Sequence, residues 1–98
     1  MEIQRIIQKS TQTIRKHLPD QEWELLLFGS QSKKTARDRS DIDIAIRGKK
    51  AVPLVVMHHI KEDIDQISTL RKIDIVDLSR TSTAFQHRVS QEGKQLQA

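Results

Sequence analysis

Two aspartates two residues apart, Asp41 and Asp43, follow a Gly29-Ser30 dipeptide after ten intervening residues. The apolar run Leu25-Leu26-Leu27-Phe28 leads into the glycine, and Asp41-Ile42-Asp43-Ile44-Ala45-Ile46 alternates acidic or small side chains with isoleucine. Side chains alternate faces along a strand, so Asp41, Asp43 and Ala45 share one face and the three isoleucines share the other. One face reads as a core and the other as a site. Carboxylates at this spacing lie about 6 Å apart and repel by about 2–3 kcal/mol at an effective dielectric of about 20. That is a large share of a small domain's stability of roughly 5–15 kcal/mol. A bound cation offsets such a cost. Oxygen-only ligands suit Mg²⁺ or Mn²⁺, with water and substrate phosphates completing the coordination, so the expected chemistry is phosphate handling.

The residues between the two motifs fit that chemistry. Glycine permits positive φ and close approach of a ligand, and Ser30 can cap a following short basic helix. The start of such a helix aims free N–H groups and a positive dipole end at phosphate, and Lys33, Lys34 and Arg37 add charge nearby. Ser30 is not read as a nucleophile, because no histidine lies near it in sequence to act as a base.

The remaining chain must position these groups. Residues 2–18 put Ile3, Ile6, Ile7, Ile14 and Leu18 near one helical stripe, and Pro19 marks the stop. Residues 23–28 have strand length, and residues 41–46 form the second strand. Gly48 and Pro53 bracket a basic connection, residues 47–50, read as a solvated turn. Residues 54–68 form a helix with Leu54, Met57, Ile60, Ile64 and Ile67 facing in. On that helix His58, His59, Glu62 and Asp63 include i, i+4 pairs of the kind used by helical metal sites, but no further ligand is apparent and they are expected on a solvated face. Residues 71–78 read as the third strand, with Ile73 and Ile75 on one face and Asp74 and Val76 on the other. If this strand lies beside the second with the same face exposed, Asp74 joins Asp41 and Asp43. Asp77 falls on the opposite face near the strand end, as a turn or cap residue. Thr83-Ala84-Phe85-Gln86 looks like a capping box opening a last helix, with Phe85, Val89 and Leu96 on one face and Gly93 ending it. The expected fold is α/β (α+β): a three-stranded sheet covered by four helices in the order αβαβαβα. Spacing alone leaves open whether the strands are parallel or mixed.

Ninety-eight residues fit a single domain, 1–98, with one modest core. Without cysteine there is no disulfide framework or thiolate zinc site. No signal peptide or membrane-length apolar run is seen, so a soluble, cytoplasmic protein with no membrane association is expected. The net charge of +4 favours anions modestly. Trp23, Phe28 and Phe85 are the only aromatics and tyrosine is absent, which leaves little for base stacking; nucleic-acid binding is not expected.

Gly29-Ser30, ten residues, Asp41-Ile42-Asp43 and a later strand bearing Asp74 together resemble the signature of the DNA polymerase beta-like nucleotidyltransferase superfamily. The string from Gly29 to Ile46 is similar to the minimal nucleotidyltransferases, or MNT proteins, and the resemblance covers essentially the whole chain. It implies a mixed sheet and transfer of a nucleoside monophosphate, AMP from ATP. By position, Asp41 and Asp43 would hold two Mg²⁺ ions (Mn²⁺ as an alternative), and Asp74 would bind the ion nearer the acceptor hydroxyl and help activate it. Gly29 and Ser30 would hold the triphosphate, with Lys33 and Arg37 as counter-charges. Two ions about 3.5–4 Å apart stabilise both entering and leaving oxygens of an in-line displacement, hence three carboxylates. Lys34 departs from the glycine often found at that position in the family. The resemblance further implies a helical HEPN-domain partner, a hetero-oligomer, and an antitoxin role of the type VII kind, with AMP attached to a tyrosine of the toxin. A bare core of this size also leaves little material for an acceptor site, which independently suggests an outside partner. The alternatives are a catalytically silent antitoxin that neutralises by binding, and transfer to a small molecule, the latter disfavoured by the lack of a second domain.

Overall fold

The computed structural model describes residues 2–19, 22–29 and 41–96. The first helix, α1 (Glu2–His17), buries Ile6, Ser10, Thr11 and Ile14. Periodicity marked the isoleucines but not the two hydroxyls. These are accommodated because Ser10 Oγ donates to the Ile6 carbonyl and Thr11 Oγ1 to the Ile7 carbonyl, each at 2.8 Å, so no buried donor is left unmade. Arg15, Lys16 and His17 close the last turn, where positive charge suits the dipole.

Strand β1 (Glu24–Phe28) pairs antiparallel with β2 (Ile42–Arg47), and β2 pairs parallel with β3 (Ile73–Asp77). The mixed sheet implied by the resemblance is therefore present. It has four strands, not the expected three, because β4 (Lys94–Leu96) adds antiparallel to β1, giving the order β3-β2-β1-β4. Gly93 makes this possible. A Cβ there would stand 2.6 Å from the Val89 carbonyl and 3.4 Å from that of Leu27, so only a bare backbone can leave the last helix so close against β1. Leu96 accordingly lies on β4, not on the last helix. Three α-helices are seen among the described residues, not four: α1, α2 (Leu54–Asp65) and α3 (Thr83–Glu92). The short basic helix expected after Ser30 lies outside the described residues.

The sheet has a core on each face. On one, α1 and α2 cover Leu25, Leu27, Ile42, Ile44, Ile46 and Ile75 with Ile6, Ile14, Ile60 and Ile64; full burial of such a side chain is worth about 1.5–3 kcal/mol. On the other, α3 covers Leu26, Ala45, Leu78 and Val89, with Phe28 and Phe85 packed alongside. Ala45 is thus core, and the face expected to be wholly site is site only at the Asp43 end. Leu54, expected to face in, is 72% exposed. The preceding Val52 is fully buried in its stead, its N–H donating to Asp77 Oδ2 at 2.8 Å.

Asp77 behaves as the expected cap. It ends β3 and accepts from Ser79 N and Oγ at 3.0 and 2.7 Å, opening a 3-10 turn, Leu78–Arg80, while Arg80 donates to it at 2.6 Å. The cap of α3 is Ser82, one residue before the expected Thr83: its Oγ accepts from Phe85 N at 3.1 Å. Gln86 reaches instead to the carbonyls of Leu78 and Thr81 at 2.8 and 3.0 Å, so no reciprocal box forms.

Candidate active site

The parallel register of β2 and β3 sets Asp43 directly against Asp74, and the antiparallel register of β1 and β2 sets Phe28 on the other side of Asp43. Register partners share a face, so Asp43 stands between an aromatic ring and a second carboxylate. Phe28 is itself braced by Phe85 of α3, edge to face with centroids 5.7 Å apart. Asp41 sits one residue before β2 and is exposed; the strand does not include it, contrary to the 41–46 assignment, although its charge still acts on Asp43.

Burial pushes the Asp43 carboxyl above its ordinary range, and the charges of Asp74 and Asp41 push it further the same way, while Lys72 pulls it down. Lys72 has no motif to announce it. Its i, i+2 spacing to Asp74 along the strand direction puts it on the carboxylate side, and its Nζ lies 3.7 Å from Asp74 Oδ2. Gly29 follows β1 with φ +76°, and a Cβ on it would fall 2.6 Å from Asp43 Oδ2. Gly29, the described residue of the dipeptide that the sequence associates with phosphate, is therefore held against Asp43.

Of the residues singled out in the sequence, Gly29, Asp43 and Asp74 converge, with Asp41 at the margin. Ser30, Lys33 and Arg37 lie outside the described residues. Among the described residues no three His, Asp or Glu side chains close into a metal-holding group as they stand. The donor set nevertheless fits a hard divalent cation: all donors are carboxylate oxygens, and the cost of charging Asp43 beside Asp74 and Asp41 is of the kind that a cation relieves.

The histidines of α2 lie elsewhere. His58 and His59 lean on Glu62 at 3.4 and 3.3 Å, and His17 meets Asp63 at 2.7 Å, all on a solvated surface between α1 and α2. No described helix is long and apolar enough to cross a membrane.

The family described as polymerase beta, nucleotidyltransferase matches residues 4–98. No curated protein matches the chain. Among solved structures, a toxin–antitoxin complex with AMP-PNP is 29% identical over 89% of this chain and 72% of its own, with a TM-score of 0.66. A tri-AMPylated HEPN toxin in complex with its MNT antitoxin, from Shewanella oneidensis, is 25% identical over 97% of this chain and 71% of its own, with a TM-score of 0.68. A doubly Asp-to-Glu-substituted MntA-HpeT toxin–antitoxin complex, at 24% identity over 93% of this chain and 71% of its own, has a TM-score of 0.69 and is a likeness of fold.

Proposed function

Because this chain belongs to the polymerase beta nucleotidyltransferase family, we propose that it transfers AMP from ATP to a hydroxyl, that of a tyrosine, on a HEPN-domain partner, and so acts as the antitoxin of the pair. The observation that carries this reading is the facing of Asp43 and Asp74 across β2 and β3, beside the positive-φ Gly29. The similar structures that contain AMP-PNP and an AMPylated HEPN toxin support the nucleotide and the partner.

In this reading Asp41, Asp43 and Asp74 hold Mg²⁺. Bound there, the metal supplies charge neutralisation at the triphosphate and lowers the pKa of the acceptor hydroxyl. Gly29 offers a backbone without a side chain, so the phosphates approach the carboxylates closely. Ser30, Lys33 and Arg37 are assigned to the triphosphate. Phe28 stands beside Asp43 on the β1 side, and an apolar neighbour there would strengthen electrostatic contacts at the carboxylate. Asp74, at the outer strand, orients the acceptor. A bond forms between the acceptor oxygen and the α-phosphorus as the bond to pyrophosphate breaks, and the hydroxyl proton passes to solvent.

The test is Mg²⁺-dependent transfer of labelled AMP to a HEPN partner by the wild type and by Asp41→Asn with Asp43→Asn. Transfer is expected to vanish in the double variant, and survival of transfer would overturn the proposal. Toxin neutralisation that persists without transfer would identify the silent antitoxin instead. Since this chain contains no tyrosine, a labelled tyrosine can only belong to the partner.

A further inference from the structure

Lys72 stands immediately before β3, and its carbonyl accepts from the Ile42 N–H at 2.8 Å, which fixes its backbone beside the start of β2. Ile42 pairs with Ile73 and Asp43 with Asp74 in the parallel register. One step back along the same register, Lys72 falls level with Asp41. Two residues separate Lys72 from Asp74, so both side chains leave the same face, and Lys72 Nζ lies 3.7 Å from Asp74 Oδ2. The acidic site therefore has an ammonium at one corner.

The charge of Lys72 reaches Asp43 as well, where it opposes the like charges of Asp74 and Asp41. Without metal, this ammonium serves the carboxylates as a counter-ion. It carries half the charge of a divalent cation and rides on a flexible four-carbon stem. The Lys72 side chain is 69% exposed and that of Asp74 43%, and both border a cavity of about 440 Å³. The ammonium can thus leave Asp74 without unpacking the core.

We propose that Lys72 is a resident counter-ion of Asp74 that makes metal binding at the site depend on nucleotide. The inference rests on the transferase reading above and names a residue that sets what the site accepts. A bare divalent cation has to displace the ammonium from Asp74 and then stand near its like charge. When the cation comes with a nucleoside triphosphate, the displaced ammonium faces phosphate oxygens, which lysine binds as a point charge. One side chain thus opposes the bare ion and favours the ion with its nucleotide. By linkage, each ligand strengthens the other by the same factor. An exposed ion pair with a merely structural role contributes little and gives neither effect.

The test compares the full chain with Lys72→Met and Lys72→Arg in two titrations. Mn²⁺ alone is followed by water proton relaxation, and ATP at a fixed Mn²⁺ concentration by calorimetry. Lys72→Met keeps an unbranched stem and loses the charge. It is expected to bind Mn²⁺ alone at least about threefold more tightly, and ATP with Mn²⁺ at least about threefold more weakly. Lys72→Arg keeps the charge and should stay within about twofold of wild type in both titrations. Both variants should retain the wild-type circular dichroism, because the side chain is largely exposed. Affinities that do not move in Lys72→Met, or that move in the same direction, would overturn the proposal, as would Lys72→Arg behaving like Lys72→Met. AMP transfer to a HEPN partner is followed in parallel. Transfer by the wild type without the opposed shifts overturns the counter-ion and leaves the transferase reading standing; opposed shifts without transfer do the reverse. Failure of all three chains to bind ATP with Mn²⁺ overturns both.

Discussion

The Cβ that Gly29 lacks would stand 2.6 Å from Oδ2 of Asp43. Two independent demands meet at this residue: a backbone at φ +76°, which L side chains rarely adopt, and a carboxylate already in contact distance. The end of β1 and the middle of the site are thus one feature.

Gly29→Ala should destabilise the fold by about 1–3 kcal/mol, from the left-handed backbone and from displacement of Asp43. In a domain of this size that is a fall in Tm of roughly 4–20 °C. Thermal unfolding measures the first effect. Calorimetry with ATP and Mg²⁺ below the lowered Tm should show affinity weakened by about tenfold or more, some 1.4 kcal/mol, because the carboxylate has moved.

Asp43→Asn should do the opposite to stability. The folded-state pKa of Asp43 lies above its ordinary value, through burial first and then Asp74 and Asp41. A raised carboxyl pKa means that folding binds the proton more tightly, so its stabilising contribution is complete below the unfolded pKa and is lost as pH rises through the folded one. At neutral pH the charged group therefore strains the metal-free fold. The Asn variant should melt higher than wild type by about 2–8 °C at pH 7, and the gap should close on acidification into the carboxylate range. Added Mg²⁺ and ATP should raise the Tm of the wild type only.

Val89→Ala probes the smaller core. Val89 is the one buried side chain of α3 and, among the described residues, shares its buried cluster with only Leu26, Ala45 and Leu78. The loss should be about 1–2.5 kcal/mol. Because β4 follows α3 directly, hydrogen exchange at Lys94–Leu96 should quicken more than exchange at β2.

These effects divide along what the residue pattern carries. Strict alternation over Ile42–Ile46 placed the isoleucines against α1 and α2, and the same period 2 over residues 73–77 carried Asp74 to the carboxylate face, because a strand's alternation survives into any sheet. Which strand neighbours which is a tertiary matter, so the facing of Asp43 and Asp74 was conditional on a pairing that spacing does not decide. Leu96 fell at a helical spacing from Val89, yet Gly93 lets the chain turn onto β1, and a three-residue strand is too short to show a period. Ser10 and Thr11 carry no apolar signal, but their hydroxyls satisfy themselves on the preceding turn and so can be buried at small cost. Leu54 and Val52 traded places because Asp77 captures the Val52 N–H, a contact across 25 residues with no local signature.

Asp77 and Asp74 lie three residues apart on β3, and the last prediction separates their roles. Asp77 is 6% exposed and accepts from Val52 N, from Ser79 N and Oγ, and from Arg80. Asp77→Ala leaves a buried N–H and a guanidinium without their acceptor, a loss of about 2–4 kcal/mol and roughly 10–25 °C in Tm. It should leave Mg²⁺-dependent ATP binding within about twofold of wild type when measured well below that Tm, since its carboxylate caps a turn on the sheet's other face; even a full twofold loss is only some 0.4 kcal/mol. Asp74→Asn should reverse the pattern. Its side chain is half exposed and its ion pair with Lys72 is long at 3.7 Å, so Tm should change by no more than a few degrees. AMP transfer should fall by more than about a hundredfold, the scale of a lost group acting at the reacting oxygen. Loss of transfer in Asp77→Ala at a temperature where it is folded, or full transfer in Asp74→Asn, would show that the two aspartates had been assigned the wrong way round.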